Sequence, residues 1–253
     1  MAIFETSDLA KEFGGLRALD SVSVSIDRGE LVGLIGPNGA GKTTFFNCVT
    51  GFLEPTAGTV SFRDEEVTGL PAHELPHRGM VRTFQHSRAH GTMTVRENVK
   101  LPALDHPGER AKHALLQTDA MNDREAEIDE RATELMDRFG LLEKEDQYAA
   151  QLSGGERKLL EIARSLITDP ELLLLDEPYA GIDEKSMQTI ADYVRELNEE
   201  GVTFIVIEHG LEALVELVER LVVLHDGAVI ADGDPDSVIR DPQVVEVYLG
   251  SRE

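Results

Sequence analysis

The chain has 253 residues, 41% of them hydrophobic, enough for one large α/β domain or a domain carrying an inserted subdomain. Acidic residues outnumber basic ones 48 to 24, a net charge of −24 that argues against a free nucleic-acid binder. The single cysteine, Cys48, excludes an internal disulfide or a cysteine metal cluster, and no apolar run reaches the ~18 residues of a membrane span.

The start, MAIFETSDLAKEF, has neither a basic nor an apolar signal region, so the expected compartment is the cytoplasm. Residues 3–6 and 22–26 alternate with period two and predict strands, and 27–30 predict a turn. Residues 31–35 form a short apolar run ended by glycine, as expected of a buried strand. Residues 36–43 read GPNGAGKT and fit the phosphate-loop pattern G-x-x-x-x-G-K-[ST]. A helix is expected over 42–50, closed by Gly51, and a strand over 59–63. Cys48 falls in that helix, where a buried, inert thiol is expected.

Between 86 and 151 strand patterning disappears. Ile128, Ala132, Leu135, Met136 and Phe139 fall at helical spacing within 123–139, while 105–122 is polar and predicts an exposed linker with a partial helix. The segment 152–178 reads LSGGERKLLEIARSLITDPELLLLDEP: a Ser-Gly-Gly turn opens an amphipathic helix, and four leucines then run into Asp176 and Glu177. Further apolar runs at 203–207 and 221–224, separated by helices, predict a mainly parallel sheet covered on both faces. Asp226-Gly227 predicts a hairpin turn between the last two strands.

The phosphate loop carries its own chemistry. Gly36, Gly39 and Gly41 let the backbone turn its N–H groups toward phosphates, with Asn38 and Ala40 between them. Lys42 would reach the β- and γ-phosphates and the Thr43 hydroxyl would bind Mg²⁺, with Thr44 beside it. A carboxylate at the end of a buried strand, as at Asp176, is costly unless it binds something, and Mg²⁺ is the natural partner; the alternative is a charge on a loop at a helix start. Ser153, Gly154 and Gly155 form a second anion-binding helix start, or else a plain helix cap. His209 lies just past a buried strand, level with the other strand ends, where open α/β sheets bind ligands.

The phosphate loop, the Ser-Gly-Gly element and the leucine run into Asp176-Glu177 together resemble the nucleotide-binding subunits of ATP-binding-cassette (ABC) transporters, over nearly the whole chain. The resemblance implies an α/β fold, a P-loop NTPase of ABC type: a mainly parallel sheet with an antiparallel N-terminal β subdomain and an inserted helical subdomain, 86–151, within one ABC ATPase domain, 1–253. It implies ATP and Mg²⁺ as ligands. It assigns Glu177 as the general base. Gln85, in Arg82-Thr83-Phe84-Gln85, becomes a Mg²⁺ ligand or water-positioning amide, and His209, in Ile207-Glu208-His209, a γ-phosphate contact. Phe13, before Gly14-Gly15, matches an aromatic that stacks on adenine; a core phenylalanine under the first sheet is the alternative. Ser153, Gly154 and Gly155 would serve the nucleotide of a partner, and Asp183, in Gly181-Ile182-Asp183, would cross that interface. Two departures are Glu156, where Gln is commoner, and Gly210, where many relatives have Asp.

The implied partners are a second ATP-binding subunit, identical or paralogous, in an ATP sandwich; integral membrane permease subunits; and, indirectly, an extracellular solute-binding protein. The subunit would sit peripherally on the cytoplasmic face, with 86–99 as the expected permease contact. Four segments resemble the branched-chain amino-acid branch: LAKEFGGLRALDSVS from Leu9, VRTFQHSRAHGTMTVRENV from Val81, LLEIARSL from Leu159 and VEVYLG from Val245. Urea and short-chain amide uptake are the near alternatives. A non-transport ABC ATPase is more remote, because the stretch between Lys42 and Ser153 leaves no room for a long coiled coil, and one chain carries one cassette.

The acidity is spread along the chain and suits a high-salt cytoplasm, because carboxylate repulsion opposes compactness and molar salt shortens the screening length to about 3 Å; a plain acidic mesophilic surface is the alternative. The melting temperature is expected to rise between low and molar KCl, with ATPase activity surviving in molar salt. Greatest stability and activity in dilute buffer would reject the high-salt reading.

Overall fold

The computed structural model describes residues 1–83, 89–103, 119–208 and 210–249. These fall into two compact units, one of Met1–Arg82, Glu171–Ala180 and Ala191–Glu253, the other of Thr83–Pro170 and Gly181–Ile190.

In the first unit, β1 (Ala2–Phe13), β2 (Leu16–Asp27), β4 (Ala57–Phe62) and β5 (Glu65–Glu66) form an antiparallel sheet in the order β2-β1-β4-β5. β1 and β2 are much longer than the period-two stretches at 3–6 and 22–26. The reason is a series of register shifts, between Thr6 and Leu9 and again between Leu9 and Lys11. Each bulge turns the following side chains to the other face, so the alternation does not persist along the strand.

The second sheet holds β3 (Leu31–Ile35), β6 (Met80–Arg82), β7 (Leu172–Asp176), β8 (Thr203–Ile207), β9 (Arg220–His225) and β10 (Ala228–Gly233), ordered β10-β9-β3-β8-β7-β6. All pairs are parallel except β9 with β10. Every residue of β3, β7 and β8 is buried, which is why they read as unbroken apolar runs. β6 has no such signature; three residues are too few to show a period. The β9–β10 hairpin turns at Asp226 and Gly227, with φ of 47° and 79°, the left-handed pair that an Asp-Gly turn supplies.

One core joins the two sheets. Phe4, Leu9, Leu19, Ile26, Val60 and Phe62 of the antiparallel sheet share a cluster with Leu34, Leu174 and Ile205, and with Phe45, Phe46 and Cys48 of α1 (Lys42–Val49). Burial raises the Cys48 thiol pKa, so it is the inert packing group expected.

The second unit is helical: α2 (Val95–Lys100), α3 (Asp119–Arg138) and α4 (Gly154–Leu166) pack on one another through buried residues such as Val99, Ala132, Met136, Leu160 and Ala163. Thr94 and Glu97 close a capping box at the start of α2. Asn98 is fully buried, and its amide is satisfied by the backbone: Nδ2 donates to the carbonyls of His90, Met93 and Thr94, and Oδ1 accepts from His90 N–H. Of the expected linker, 105–118 lies outside the described residues; α3 starts at Asp119. α5 (Glu184–Glu199), α6 (Leu211–Leu217), α7 (Pro235–Val238) and α8 (Pro242–Leu249) complete the α-helices among the described residues. No helix among the described residues is long and apolar enough to cross a membrane.

Candidate functional site

The phosphate loop joins β3 to α1 and is braced from outside its own sequence. Gly227, in the β9–β10 turn, donates its N–H to the Ala40 carbonyl at 3.1 Å, and Asp20 of β2 donates to the Gly227 carbonyl at 2.8 Å. Gly41 has φ of 105°, and a Cβ there would lie 2.6 Å from the Ala18 carbonyl oxygen, so only glycine fits the close approach to β2. Asn38, Gly39 and Thr43 are exposed, Thr44 is half-buried, and Gly36 and Ala40 are buried. Tyr248 of α8 hydrogen-bonds the Gly36 backbone, while burial pushes its hydroxyl pKa up to about 12.

Lys42 is buried, and its Nζ donates to the carbonyls of Gly36 at 2.5 Å and Pro37 at 3.1 Å. Desolvation lowers its pKa, and the charge of Glu177 works against that loss. A desolvated ammonium folded against the carbonyls of a glycine-rich loop, at the start of a helix, fits a phosphate group that would give it a stronger partner.

Asp176 ends β7 as a buried carboxylate, and Arg82 of β6 supplies its partner. Arg82 Nη2 donates to Asp176 Oδ2 at 2.7 Å, with the two side chains 6% and 5% exposed. Arg82 Nη1 donates to Asn47 Oδ1 at 2.7 Å and Thr50 Oγ1 at 3.2 Å, and the guanidinium lies 5.3 Å from the Phe46 ring centroid and 5.9 Å from that of Phe52. Removing one partner from a buried pair of this kind costs about 3–5 kcal/mol. Nothing local in the sequence marks Arg82 as a site residue, because its counter-ion comes 94 residues later.

No group of three His, Cys, Asp or Glu side chains among the described residues could hold a metal by itself. Mg²⁺ at a triphosphate keeps one or two protein ligands and takes its other oxygens from phosphates and water. Asp176 and the exposed Thr43 hydroxyl fit that partial set.

Glu177 has φ of 52°, a left-handed conformation that costs a non-glycine residue about 1–3 kcal/mol. Backbone bonds hold it: Glu177 N–H donates to the Ile207 carbonyl at 2.9 Å, and Ala180 N–H donates to the Glu177 carbonyl at 3.2 Å. Phe13 is 45% exposed, so it is not a core residue; Lys11 Nζ stands 5.2 Å from its ring centroid. An open aromatic face at that place is compatible with stacking on a base. Gln85 and His209 lie outside the described residues.

In the helical unit, Ser153 caps α4. Its hydroxyl accepts from Glu156 N–H at 3.3 Å, and Ser153 N–H donates to Glu156 Oε2 at 2.9 Å. Glu156 is therefore part of the cap. The hydrogen bond from Lys144 lowers its pKa most, so its negative charge has a resident counter-ion. Asp183 caps α5, accepting from Ser186 N–H at 3.0 Å and Ser186 Oγ at 2.8 Å, the bonds that hold its carboxyl below its usual range. The two caps meet at Gly155, where a Cβ would stand 2.4 Å from Ser186 Oγ and 2.8 Å from its Cβ. Ser153, Gly154, Gly155 and Asp183 are thus neighbours within one unit. Gly210, the second departure, leads into α6 without a side-chain cap.

A glycine-rich loop between a buried parallel strand and a helix, with a buried lysine and an acidic pair at the end of β7, one strand beyond β8 in the same sheet, defines a phosphate-loop nucleotide-binding protein. The chain matches the ABC transporter family over residues 19–180 and belongs to it; it is an ABC ATPase. Residues 228–253 match a second family, the branched-chain amino acid ATP-binding cassette transporter. The chain is 39% identical over 249 residues to the high-affinity branched-chain amino acid transport ATP-binding protein LivG of Salmonella typhimurium, covering 98% of each. It is 39% identical over 253 residues to a probable LivG of Archaeoglobus fulgidus, covering all of this chain and 97% of that one. Among solved structures, a nucleotide-free ATP-binding cassette from an ABC transporter aligns with a TM-score of 0.86 at 38% identity, covering 98% of this chain and 99% of that one. An ADP-conformation cassette aligns at 0.85 and 36% identity, covering 99% of each chain.

Lys42→Ala is expected to remove most of the rise in melting temperature that Mg-ATP produces, since it deletes a charge-assisted phosphate contact. A shift as large as the parent's would exclude Lys42 as a phosphate ligand.

Proposed function

We propose that the chain powers an importer of branched-chain amino acids, hydrolysing ATP between two such subunits docked on membrane permease chains. The reading of the solute rests on relatives named for that transport over nearly the whole length, and on the matching C-terminal segment. An extracellular binding protein would deliver the solute. The helical insertion, 86–151, would meet the permease on the cytoplasmic face, through the stretch 86–99; its described part includes the start of α2, while 86–88 lies outside the described residues.

The observation that carries the site reading is the desolvated Lys42 within the electrostatic reach of Glu177. The loop from Gly36 to Thr44 holds the phosphates by its N–H groups, Asn38, Gly39, Ala40 and Gly41 included. Lys42 exchanges the Gly36 and Pro37 carbonyls for β- and γ-phosphate oxygens. Thr43, Asp176 and Gln85 would hold Mg²⁺, which neutralises phosphate charge when bound. Glu177 takes the proton of the attacking water, His209 contacts the γ-phosphate, and Phe13 carries the adenine. Ser153, Gly154, Gly155 and Asp183 act on the partner's nucleotide.

Glu177→Gln should abolish nearly all turnover, in line with the ~10²- to 10⁴-fold contribution of general-base catalysis, while keeping ATP affinity. The mutant should collect as an ATP-bound dimer on a sizing column. Parent-like hydrolysis by this variant would remove Glu177 from the mechanism.

Ser153→Arg places a bulky cation in the seat meant for the partner's γ-phosphate. Monomer binding of ATP should survive and the ATP-driven dimer should be lost. Loss of nucleotide binding in the monomer would contradict action in trans.

A further inference from the structure

The turn that carries Glu177 is tied to the end of β8 at two consecutive residues. Glu177 N–H donates to the Ile207 carbonyl at 2.9 Å. Pro178 has no N–H to give. The next donor, Tyr179 N–H, goes to a side chain: Glu208 Oε1, at 2.7 Å. Every backbone donor of residues 177–179 is thus spent on Ile207 and Glu208. Glu208 is 6% exposed and Tyr179 is 7% exposed, so this bond is shielded from water. Its length suits an N–H donating to an ionised carboxylate. Burial raises the Tyr179 hydroxyl pKa most, and the Glu208 charge adds to that rise.

Two features make this bond more than packing. Glu177 sits in the left-handed region, with φ of 52°, and Asp176 stands opposite Ile207 in the β7–β8 ladder. The backbone ladder therefore ends where the strained residue begins. Past that point Glu208 holds the turn from the β8 side through its bond to Tyr179 N–H, two residues beyond Glu177. A left-handed non-glycine residue persists only where its surroundings over-determine it.

We infer that Glu208 is a positioning residue for the hydrolytic reaction: its carboxylate clamps Tyr179 N–H and so fixes the backbone from which the Glu177 side chain reaches the attacking water. The inference rests on the reading of Glu177 as the base. What matters in Glu208 is an acceptor at full side-chain reach. Gln keeps that acceptor without the charge, and Asp keeps the charge with one methylene less reach.

The test uses the purified full chain with Mg-ATP, comparing the parent with Glu208→Gln, Glu208→Asp, Glu208→Ala and Glu177→Gln. Three quantities are read: kcat, the Kd of a fluorescent ATP analogue, and the melting temperature. Glu208→Asp and Glu208→Ala should lose about 10- to 100-fold in kcat, the scale of a misplacement near 1 Å, with Kd within about twofold of the parent. Glu208→Gln should restore kcat to within about threefold of the parent, a scale set by exchanging a charged acceptor for a neutral one. If Glu208→Ala fails to fold, the Gln and Asp pair still decides. Parent-like turnover in Glu208→Asp, or a Gln variant as impaired as Asp with unchanged affinity, overturns the inference. Glu177→Gln separates the two claims. If it hydrolyses ATP like the parent, the base reading falls and this inference with it. If it is inactive while Glu208→Asp is not, the positioning claim alone falls.

Discussion

Ile207 is the backbone position on which the site is levelled. Its strand, β8, lies between β3 and β7, and residues 204–207 pair with Leu31, Val32, Gly33 and Leu34 on one side and with 173–176 on the other. Parallel pairing puts the C-terminal ends of all three strands at the same edge. The phosphate loop leaves one of those ends and the Asp176-Glu177 pair leaves another. A one-residue slip of β8 would misplace both, and would turn Ile205 and Ile207 out of the core they share with Leu34 and Phe45. The hydrophobic core and the edge that carries the phosphate loop and Asp176-Glu177 are therefore fixed by the same ladder.

The charges at that edge follow from its dryness. Lys42, Asp176, Glu177 and Glu208 are all buried, and a buried charge is tolerated only when it is paired or hydrogen-bonded. Asp176 has Arg82, and Glu208 has Tyr179 N–H. Lys42 donates to two neutral carbonyls and feels the more distant field of Glu177. Of these four charges Lys42 is the cation, and it is the one proposed to meet the phosphates. The fold itself thus leaves a place for an anion, and that place coincides with the glycine loop.

How much of this was legible in the sequence depended on whether the signal was local. The runs at 31–35 and 203–207 came out as strands because both faces are buried. Asp226-Gly227 came out as a turn because its positive φ values demand those residues. β1 and β2 were read only in part, because bulges at Asp8 and its neighbours break the alternation. Nothing local marks Arg82 or Tyr248, which touch the site residues Asp176 and Gly36, or Glu208, which touches Tyr179 two residues from Glu177. A cation on a three-residue strand, a carboxylate before a histidine and a tyrosine near the C-terminus carry no pattern; only the folded chain brings them to Asp176, Tyr179 and Gly36. Glu156 is the reverse case. In the sequence it is only a departure from the commoner Gln; in the fold Lys144 and the Ser153 cap hold its charge.

The net charge of −24 poses a problem for a protein that binds a polyanion. Range resolves it. Exposed carboxylates more than a screening length from the loop, about 8 Å at physiological ionic strength, contribute little to the potential there. Lys42 is buried and acts at contact, where its field is less screened than that of an exposed charge. Salt should therefore relieve repulsion over the surface much more than it weakens the contacts at the loop. An acidic exterior and an anion site are compatible in one chain because the exterior charges are solvated and screened, while Lys42 is buried and acts at contact.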